Sequence, residues 1–393
     1  NSDTMGPITV IDPKTSVFDP PAFKKQWAKK PVLGPIEVDL ALETGCLTES
    51  NYYRMGRLIF FVKKLLGSTP IYTESGWMRY SYKSLPFIYS VFIVTTYVIL
   101  SAYNRKTLSS AWSKLFKSES ELTFENIMFS FLVVMQMPLL VMMIYSWFSE
   151  VPAFVKCCNM TAVVEKRTIE VFPACALTPR TRRIVTSSVG LYFGALVIIG
   201  NILLRSRFDE APWFTIITFV FSFIISHSSC IAWCFNYWFV CCLADKLRVN
   251  MVLCLKVGEN RVCKLKICRK IWMEIWKLTQ TFADAFAITS LFMVICSGII
   301  FVIATYGIIV SIRIGSTTDI LTISPYIVTS FFNVASVSEM AHRASDKLGD
   351  KCISTLLDMG QETLDLGCIE EIDRFLSMIK DTGNAKITLK GFI

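Results

Sequence analysis

Few side chains in this sequence could carry out chemistry, and their spacing matches no catalytic motif. The sequence contains no P-loop, no GxGxxG, no HExxH and no GxSxG. It has only two histidines, His227 and His342. His227 stands beside two serines in a long apolar run, where a packed, hydrogen-bonded core histidine is favoured over a ligand contact. The sequence therefore predicts a protein that is not an enzyme.

The 14 cysteines also lack the spacing of a metal site, because no CxxC pair has histidines nearby. Several of them lie inside apolar runs, where cysteine behaves as a small buried hydrophobic residue. We therefore expect neither a metal nor a cofactor.

The remaining chemistry is the binding of a small molecule, which needs an apolar cavity with a few polar groups. Such groups occur where the outer halves of the predicted membrane helices fall: Gln136, Tyr192, Asn201, Trp213, Thr218, Thr305, Tyr306, Ser324 and Tyr326. Each also has a plain alternative, either an aromatic belt at the interface or a hydrogen bond between helices. Tyr306 and Tyr326 are preferred, because they lie roughly one to two helical turns inside the ends of adjacent spans.

Composition predicts the membrane helices that must position these residues. Of the 393 residues, 53% are hydrophobic and 18% are charged, and the mean hydropathy is +0.49. Soluble domains carry about 25% charged residues. Six apolar runs are long enough to cross a bilayer as helices: 85–103, 127–147, 184–204, 213–243, 286–312 and 320–340. The predicted fold class is an all-α integral membrane protein that contacts the lipid bilayer along these helices.

The distribution of basic residues predicts the orientation of the chain. Lysine and arginine concentrate before the first span, after the second and fourth spans, and after the sixth, whereas the other loops carry few. Basic residues near membrane helices favour the cytoplasmic side, so the N-terminus is predicted to be cytoplasmic. This pattern accounts for the net charge of +9 without a nucleic-acid partner. A glycosylation motif at Asn159 falls on the inner side and is discounted.

The sequence predicts two amphipathic helices and divides the chain into five regions. A basic amphipathic stretch at 55–66 is expected along the inner membrane face. A second amphipathic helix at 369–379 is expected against a membrane or a neighbouring protein. The regions are a flexible cytosolic arm (1–50), spans one to four with the amphipathic helix before them (51–243), a basic helical extension into the cytosol (244–284), spans five and six (285–345), and a cytosolic tail (346–393).

Three parts of the sequence resemble the insect gustatory receptors, which are related to the insect odorant receptors. Residues 66–72, followed by 82–84, are similar to the approach to that family's first helix. Residues 339–344 (EMAHRA) look like its acidic-alanine step at the inner end of the sixth helix. Residues 372–376 and 387–392 resemble the segment immediately before its seventh helix. A cytoplasmic N-terminus also agrees with this family.

The resemblance departs at the family's signature, which is Thr-Tyr, five apolar residues and Gln-Phe in the seventh helix. Thr305 and Tyr306 do not match it, because Ile312 and Arg313 follow where Gln-Phe should stand. The resemblance therefore implies a seventh, pore-lining helix beyond Ile393. It also implies a tetramer of identical or related subunits in the plasma membrane, with a tastant bound among the outer halves of the second to sixth helices.

The predicted function is thus a taste receptor that acts as a ligand-gated, non-selective cation channel for a small tastant or volatile. Two alternatives stay open, a secondary transporter and a non-conducting regulatory subunit. No internal repeat relates the two halves, and few ionisable residues lie inside the spans, which counts against the transporter. The sequence leaves the ligand open among a sugar, a bitter compound and carbon dioxide.

Overall fold

The computed structural model describes residues 47–103, 124–172, 179–207, 213–256, 260–360 and 364–382. The arm up to residue 46 and the 387–392 stretch lie outside this description. The described chain is helical except for one hairpin. Its elements are a 3-10 turn (Leu47–Glu49), α1 (Asn51–Leu65), β1 (Ile71–Glu74), β2 (Trp77–Tyr80), α2 (Leu85–Tyr103), α3 (Phe124–Val171), α4 (Pro179–Arg207), α5 (Trp213–Lys256), α6 (Arg261–Ile314), α7 (Thr317–Leu348), α8 (Asp350–Gly360) and α9 (Leu366–Asp381).

Each of the six predicted spans lies within a single helix, from α2 to α7, so the helical part of the prediction is confirmed. Judged by length and composition, three helices among the described residues are long and apolar enough to cross a membrane. They contain Leu85–Ala102, Pro138–Val171 and Arg261–Ile314. Helical geometry satisfies every backbone polar group within its own segment, which an apolar surrounding requires.

The amphipathic stretch before the first span forms α1, and its apolar face packs inside the protein. Tyr52, Met55 and Ile59 are fully buried, and α1 contacts α3, α4 and α5. We expected this face to lie along a membrane. An amphipathic pattern shows that one face avoids water, but a membrane and a helical bundle both satisfy that requirement.

Buried polar groups hold the first turn of α1 against α3. The carboxylate of Glu165 accepts hydrogen bonds from the backbone N–H of Asn51 (3.3 Å) and Tyr52 (3.2 Å) and from the Asn51 side chain (2.8 Å). These backbone donors have no partner within the helix. The Tyr52 hydroxyl donates to Asn236 Oδ1 of α5 at 2.7 Å. The start of α1 is therefore bonded to two other helices.

The end of α1 is fixed by a Schellman motif centred on Gly67. The Gly67 N–H donates to Lys64 O and the Ser68 N–H to Lys63 O, both at 3.0 Å. Gly67 has a φ of +67°, and its carbonyl accepts from Trp147 Nε1 at 3.0 Å. The turn therefore sets both the end of α1 and the start of the hairpin that follows it.

Replacing Gly67 with alanine should lower the melting temperature of the purified protein. A left-handed backbone costs a non-glycine residue about 1–2 kcal/mol. The new Cβ would also lie 3.2 Å from both Ser90 Cα and Ile93 Cβ of α2. Gly298→Ala is the control, because it has open space around its position. Equal melting temperatures for the two variants would contradict this account of the turn.

The hairpin between α1 and α2 was not anticipated from sequence. Its strands pair antiparallel with Ile71 opposite Tyr80. The Asn159 amide of α3 accepts from Met78 N at 3.1 Å and donates to Met78 O at 2.9 Å, which ties the hairpin to the bundle. Thr161 is fully buried. The side chains of the glycosylation motif at Asn159 are therefore used in packing and hydrogen bonding within the protein.

Beyond the predicted spans, α5 continues to Lys256 and α6 starts at Arg261, so the pattern between 244 and 284 is helical as predicted, apart from 257–259, which lie outside the description. These ends pack with the end of α7, with α8 and with α9. We call this group the distal bundle: residues 247–256 of α5, 261–283 of α6, 341–348 of α7, α8 and α9.

Helix α9 packs its apolar face on the chain's own α6 and α8. Ile372, Phe375 and Ile379 are buried, as the sequence pattern indicated, whereas Ile369 is 39% exposed. The almost fully buried Glu371 pairs with Arg269 of α6, whose Nε lies 2.7 Å from Glu371 Oε1. Within the described residues, the partner of this face is therefore the chain itself.

Candidate ligand pocket

Small polar residues occur on the facing sides of α5, α6 and α7, mostly three, four, seven or eight positions apart. On α5 the series is Ser222, Ser226 and Ser229; on α6, Thr289, Ser290 and Ser297; on α7, Thr329, Ser330 and Asn333. Residues with this spacing share one face of a helix. Small side chains on facing helices leave space between the backbones, and this space forms a row of cavities.

The ligand pocket, as we call the cavity between α3, α5, α6 and α7, has a volume of about 100 Å³. Its walls are mostly apolar and include Leu139 of α3, Ile300 of α6 and Tyr326 of α7. An apolar cavity of about 150 Å³ can bind benzene. The ligand pocket therefore suits only a small organic molecule unless the surrounding side chains move.

Most hydroxyl groups of the pocket already have partners. The Tyr97 and Ser222 hydroxyls are 2.6 Å apart, Ser226 donates to Met293 Sδ at 3.7 Å, and Thr329 donates to its own helix. By contrast, the hydroxyls of Ser297 and Ser330 make no hydrogen bond to any described residue. Both side chains are buried, at 5% and 4% exposure. Asn333, which also lines the pocket, has a buried Oδ1 without a hydrogen-bond partner among the described residues. These groups can hydrogen-bond a ligand.

His227 forms one wall of the pocket, next to Asn333. Its Nδ1 lies 3.0 Å from the Tyr192 hydroxyl of α4, and its ring meets Phe223 edge-on with a centroid separation of 4.4 Å. The expectation of a packed, hydrogen-bonded histidine is therefore confirmed. The same residue also faces the cavity, which the sequence interpretation treated as the less favoured alternative.

Two smaller cavities adjoin the ligand pocket, and Met293 of α6 lines all three. One has a volume of about 10 Å³ and lies beside Trp233 and Val337. The other, about 40 Å³, contains two buried charged side chains, Lys63 of α1 and Glu150 of α3. We call this second cavity the lysine chamber. A flexible methionine is thus the shared wall of a row of cavities.

The structure separates the nine predicted ligand residues into different environments. Tyr326 lines the ligand pocket, and Tyr192 lies one layer behind it, in contact with His227. Thr305 and Ser324 donate to carbonyls of their own helices, and Tyr306 is 60% exposed outside the bundle. The side chains of the other four residues lie outside the description: Gln136, Asn201, Trp213 and Thr218.

Sequence reasoning missed most of the pocket, including Ser297, Ser330 and Asn333. Their signal was present as small polar side chains three, four, seven or eight positions apart on three apolar helices. The prediction chose residues by their distance from the outer helix ends. Which side chains line a common cavity depends on the direction in which each one faces from its helix, and not only on its depth in the membrane.

Long apolar helices packed around cavities are typical of a helical-bundle membrane protein. The family model described as "7tm Chemosensory receptor" matches residues 56–393. The chain therefore belongs to the 7tm chemosensory receptor family. No curated protein matches the sequence.

A solved structure supports the same fold. The chain is similar to the insect olfactory receptor OR5 from Machilis hrabei, with a TM-score of 0.58 and 13% identity. The match covers 88% of this chain and 93% of that chain. Family membership makes the protein a multi-pass membrane chemoreceptor, a class that is not an enzyme class. The resemblance inferred from sequence is confirmed at the level of this wider family.

Proposed function

We propose that the protein is a gustatory-type receptor that acts as a ligand-gated, non-selective cation channel in the plasma membrane. The observation that carries the proposal is the buried ligand pocket between α3, α5, α6 and α7. In this proposal the N-terminus is cytoplasmic, and the complete channel is a tetramer of identical or related subunits. The distal bundle then lies in the cytosol, as the basic loops indicate.

The composition of the pocket favours a small, largely apolar ligand. Its walls are mostly apolar, and most of its hydroxyls already have partners. The polar groups left for a ligand are few: the hydroxyls of Ser297 and Ser330, with His227 and Asn333. A sugar would bring many hydroxyls into a site with few partners for them, and unpaired buried polar groups cost roughly 1–3 kcal/mol each. A volatile or bitter compound with one or two polar atoms matches the pocket better.

Helix α6 offers a physical route from ligand binding to gating. It is a single helix from Arg261 to Ile314, with Met293 and Ser297 at the pocket and Trp272 in the distal bundle. A ligand shifts a conformational equilibrium only by the difference in its affinity for the two states. A ligand that favours one position of α6 would therefore also bias the distal bundle, where we propose that subunits meet.

Expression of the full-length protein in cultured cells tests the proposal directly. We expect currents evoked by members of a panel of small alcohols, aldehydes, ketones, esters, sugars, bitter alkaloids and carbon dioxide. The currents should be carried by both sodium and potassium. An epitope at the N-terminus should be accessible to antibody only after the cells are permeabilised.

Other outcomes would point to the two alternatives. Uptake of a labelled panel compound without current would indicate a transporter. Surface expression without current from the protein alone, together with altered currents when a related receptor is present, would indicate a regulatory subunit. Antibody access to the N-terminal epitope on intact cells would contradict the proposed orientation.

A further inference from the structure

The lysine chamber and the ligand pocket share three wall residues, Leu139, Phe292 and Met293. The chamber differs from the pocket in chemistry. It places a buried lysine and a buried glutamate among hydroxyl side chains from three helices and the turn after α1. These hydroxyls belong to Ser68, Thr69, Ser146, Ser229 and Thr289. An apolar cavity and a charged one therefore lie next to each other inside the bundle.

Lys63 has hydrogen-bonding capacity that the described protein leaves unused. Its side chain is 7% exposed, and its Nζ lies 3.5 Å from Ser229 Oγ, at the outer limit of a hydrogen bond. An ammonium group carries three donors. No other hydrogen bond to Lys63 Nζ occurs among the described residues. The Schellman motif at Gly67 and the packing of α1 hold the backbone at this position.

Glu150 supplies the opposite charge. Its carboxylate accepts hydrogen bonds from the Thr289 backbone N–H at 3.0 Å and from the Thr289 hydroxyl. Burial lowers the pKa of Lys63 to about 8, and the charge of Glu150 opposes this shift. The ammonium therefore remains the main form of Lys63 at neutral pH.

This charge balance selects the kind of group that can bind to Lys63. A carboxylate would add a second negative charge that nothing in the chamber compensates, and a buried uncompensated charge is costly. A neutral carbonyl or hydroxyl oxygen can accept from the ammonium without changing the net charge. The chamber therefore favours a neutral oxygen over an acid.

We propose that Lys63 anchors a neutral, oxygen-bearing ligand, such as a short aldehyde, ketone or alcohol. The carbon chain of the ligand lies in the ligand pocket, and its oxygen accepts a hydrogen bond from Lys63 in the lysine chamber. Rotation of Met293, a flexible and adaptable side chain, joins the two cavities. This inference rests on the proposed ligand pocket and names the ligand class and the anchoring residue.

Reductive alkylation with hexanal tests the inference without depending on channel activity. The neutral amine of Lys63 attacks the aldehyde carbon, and water leaves to give an imine. The imine nitrogen takes a proton from solvent, and added cyanoborohydride transfers hydride to the carbon of this iminium ion, which gives a stable hexyl-lysine. We expect peptide mass spectrometry of the purified full-length protein to find this adduct at Lys63. Its exposed neighbour Lys64 is the matched control, because it reacts from solvent.

Three comparisons sharpen the test. An excess of 1-hexanol should protect Lys63 severalfold, whereas hexanoate should not, and neither should protect Lys64. Met293→Trp should close the connection between the two cavities and reduce the labelling of Lys63 but not of Lys64.

Labelling of Lys64 without labelling of Lys63 in the wild-type protein would overturn the proposal and indicate a chamber that holds only water. Equal protection by hexanoate would overturn the preference for a neutral oxygen.

The outcome also separates this inference from the proposed function. Hexanal-evoked current without labelling of Lys63 would overturn the inference and leave the channel proposal standing. Protected, Met293-dependent labelling in a protein that passes no current would support the inference and overturn the channel proposal.

Discussion

Replacing Trp272 with alanine should destabilise the protein by about 3–5 kcal/mol, the range for removing a large buried aromatic side chain. Trp272 is 1% exposed at the centre of the distal bundle. Its Nε1 donates to Leu348 O at 2.9 Å, and its ring meets Phe375 edge-on at 6.0 Å. One side chain thus joins α6 to the end of α7 and to α9. The measurement is the melting temperature of the detergent-solubilised full-length protein.

Two further variants separate the contributions of Trp272. Trp272→Phe keeps an aromatic ring but leaves the carbonyl of Leu348 at the end of α7 without its donor, so it should cost about 1–3 kcal/mol. A double-mutant cycle with Phe375 should give a coupling of about 0.5–1.5 kcal/mol for the ring pair. Lys270→Ala, at an exposed position of the same helix, is the control. If Trp272→Ala has the same melting temperature as Lys270→Ala, the stability of the distal bundle does not depend on the contacts of Trp272.

Replacing Ser297 with leucine should raise the agonist concentration for half-maximal current by about a hundredfold, which corresponds to about 2.8 kcal/mol. Ser297 lines the ligand pocket from α6, and the larger side chain would occupy space that the ligand needs. Ser297→Ala removes only the available hydroxyl and should cost about tenfold for an agonist that bonds to it. The measurement uses the most potent member of the compound panel.

Val302→Leu is the matched control for Ser297→Leu, because Val302 lies on the same helix and is 66% exposed. It should leave both surface expression and agonist potency unchanged. Surface labelling of every variant separates a loss of binding from a loss of folding. An unchanged agonist response in a well-expressed Ser297→Leu protein would show that the ligand binds elsewhere.

The helices of this protein were largely predictable from sequence. Each apolar run became one helix, and the pattern around Ile372, Phe375 and Ile379 correctly gave the buried face of α9. Such an amphipathic helix has water on one side only, so its pattern of polar and apolar residues indicates which face is buried. What α9 packs against was not predictable, because any apolar surface satisfies the same pattern.

The pocket was much less predictable, and two tyrosines show why. Tyr306 and Tyr326 stand at similar depths in neighbouring apolar runs, and both were preferred as ligand residues. In the structure, Tyr326 lines the pocket and Tyr306 is 60% exposed, while its neighbours Ala304 and Gly307 are buried. Depth follows from position in the sequence, whereas facing depends on the rotation of each helix about its own axis.

The sequence by itself determined the class of the protein, the six apolar helices, the long extensions of α5 and α6 and the resemblance to insect chemoreceptors. Only the tertiary structure decided that α1 enters the bundle, that His227 faces a cavity and that Lys63 and Glu150 share a chamber beside it. The physical reason is that lipid tails are as apolar as packed side chains. An apolar helix therefore carries little record of which face meets lipid and which meets protein, until its neighbours are in place.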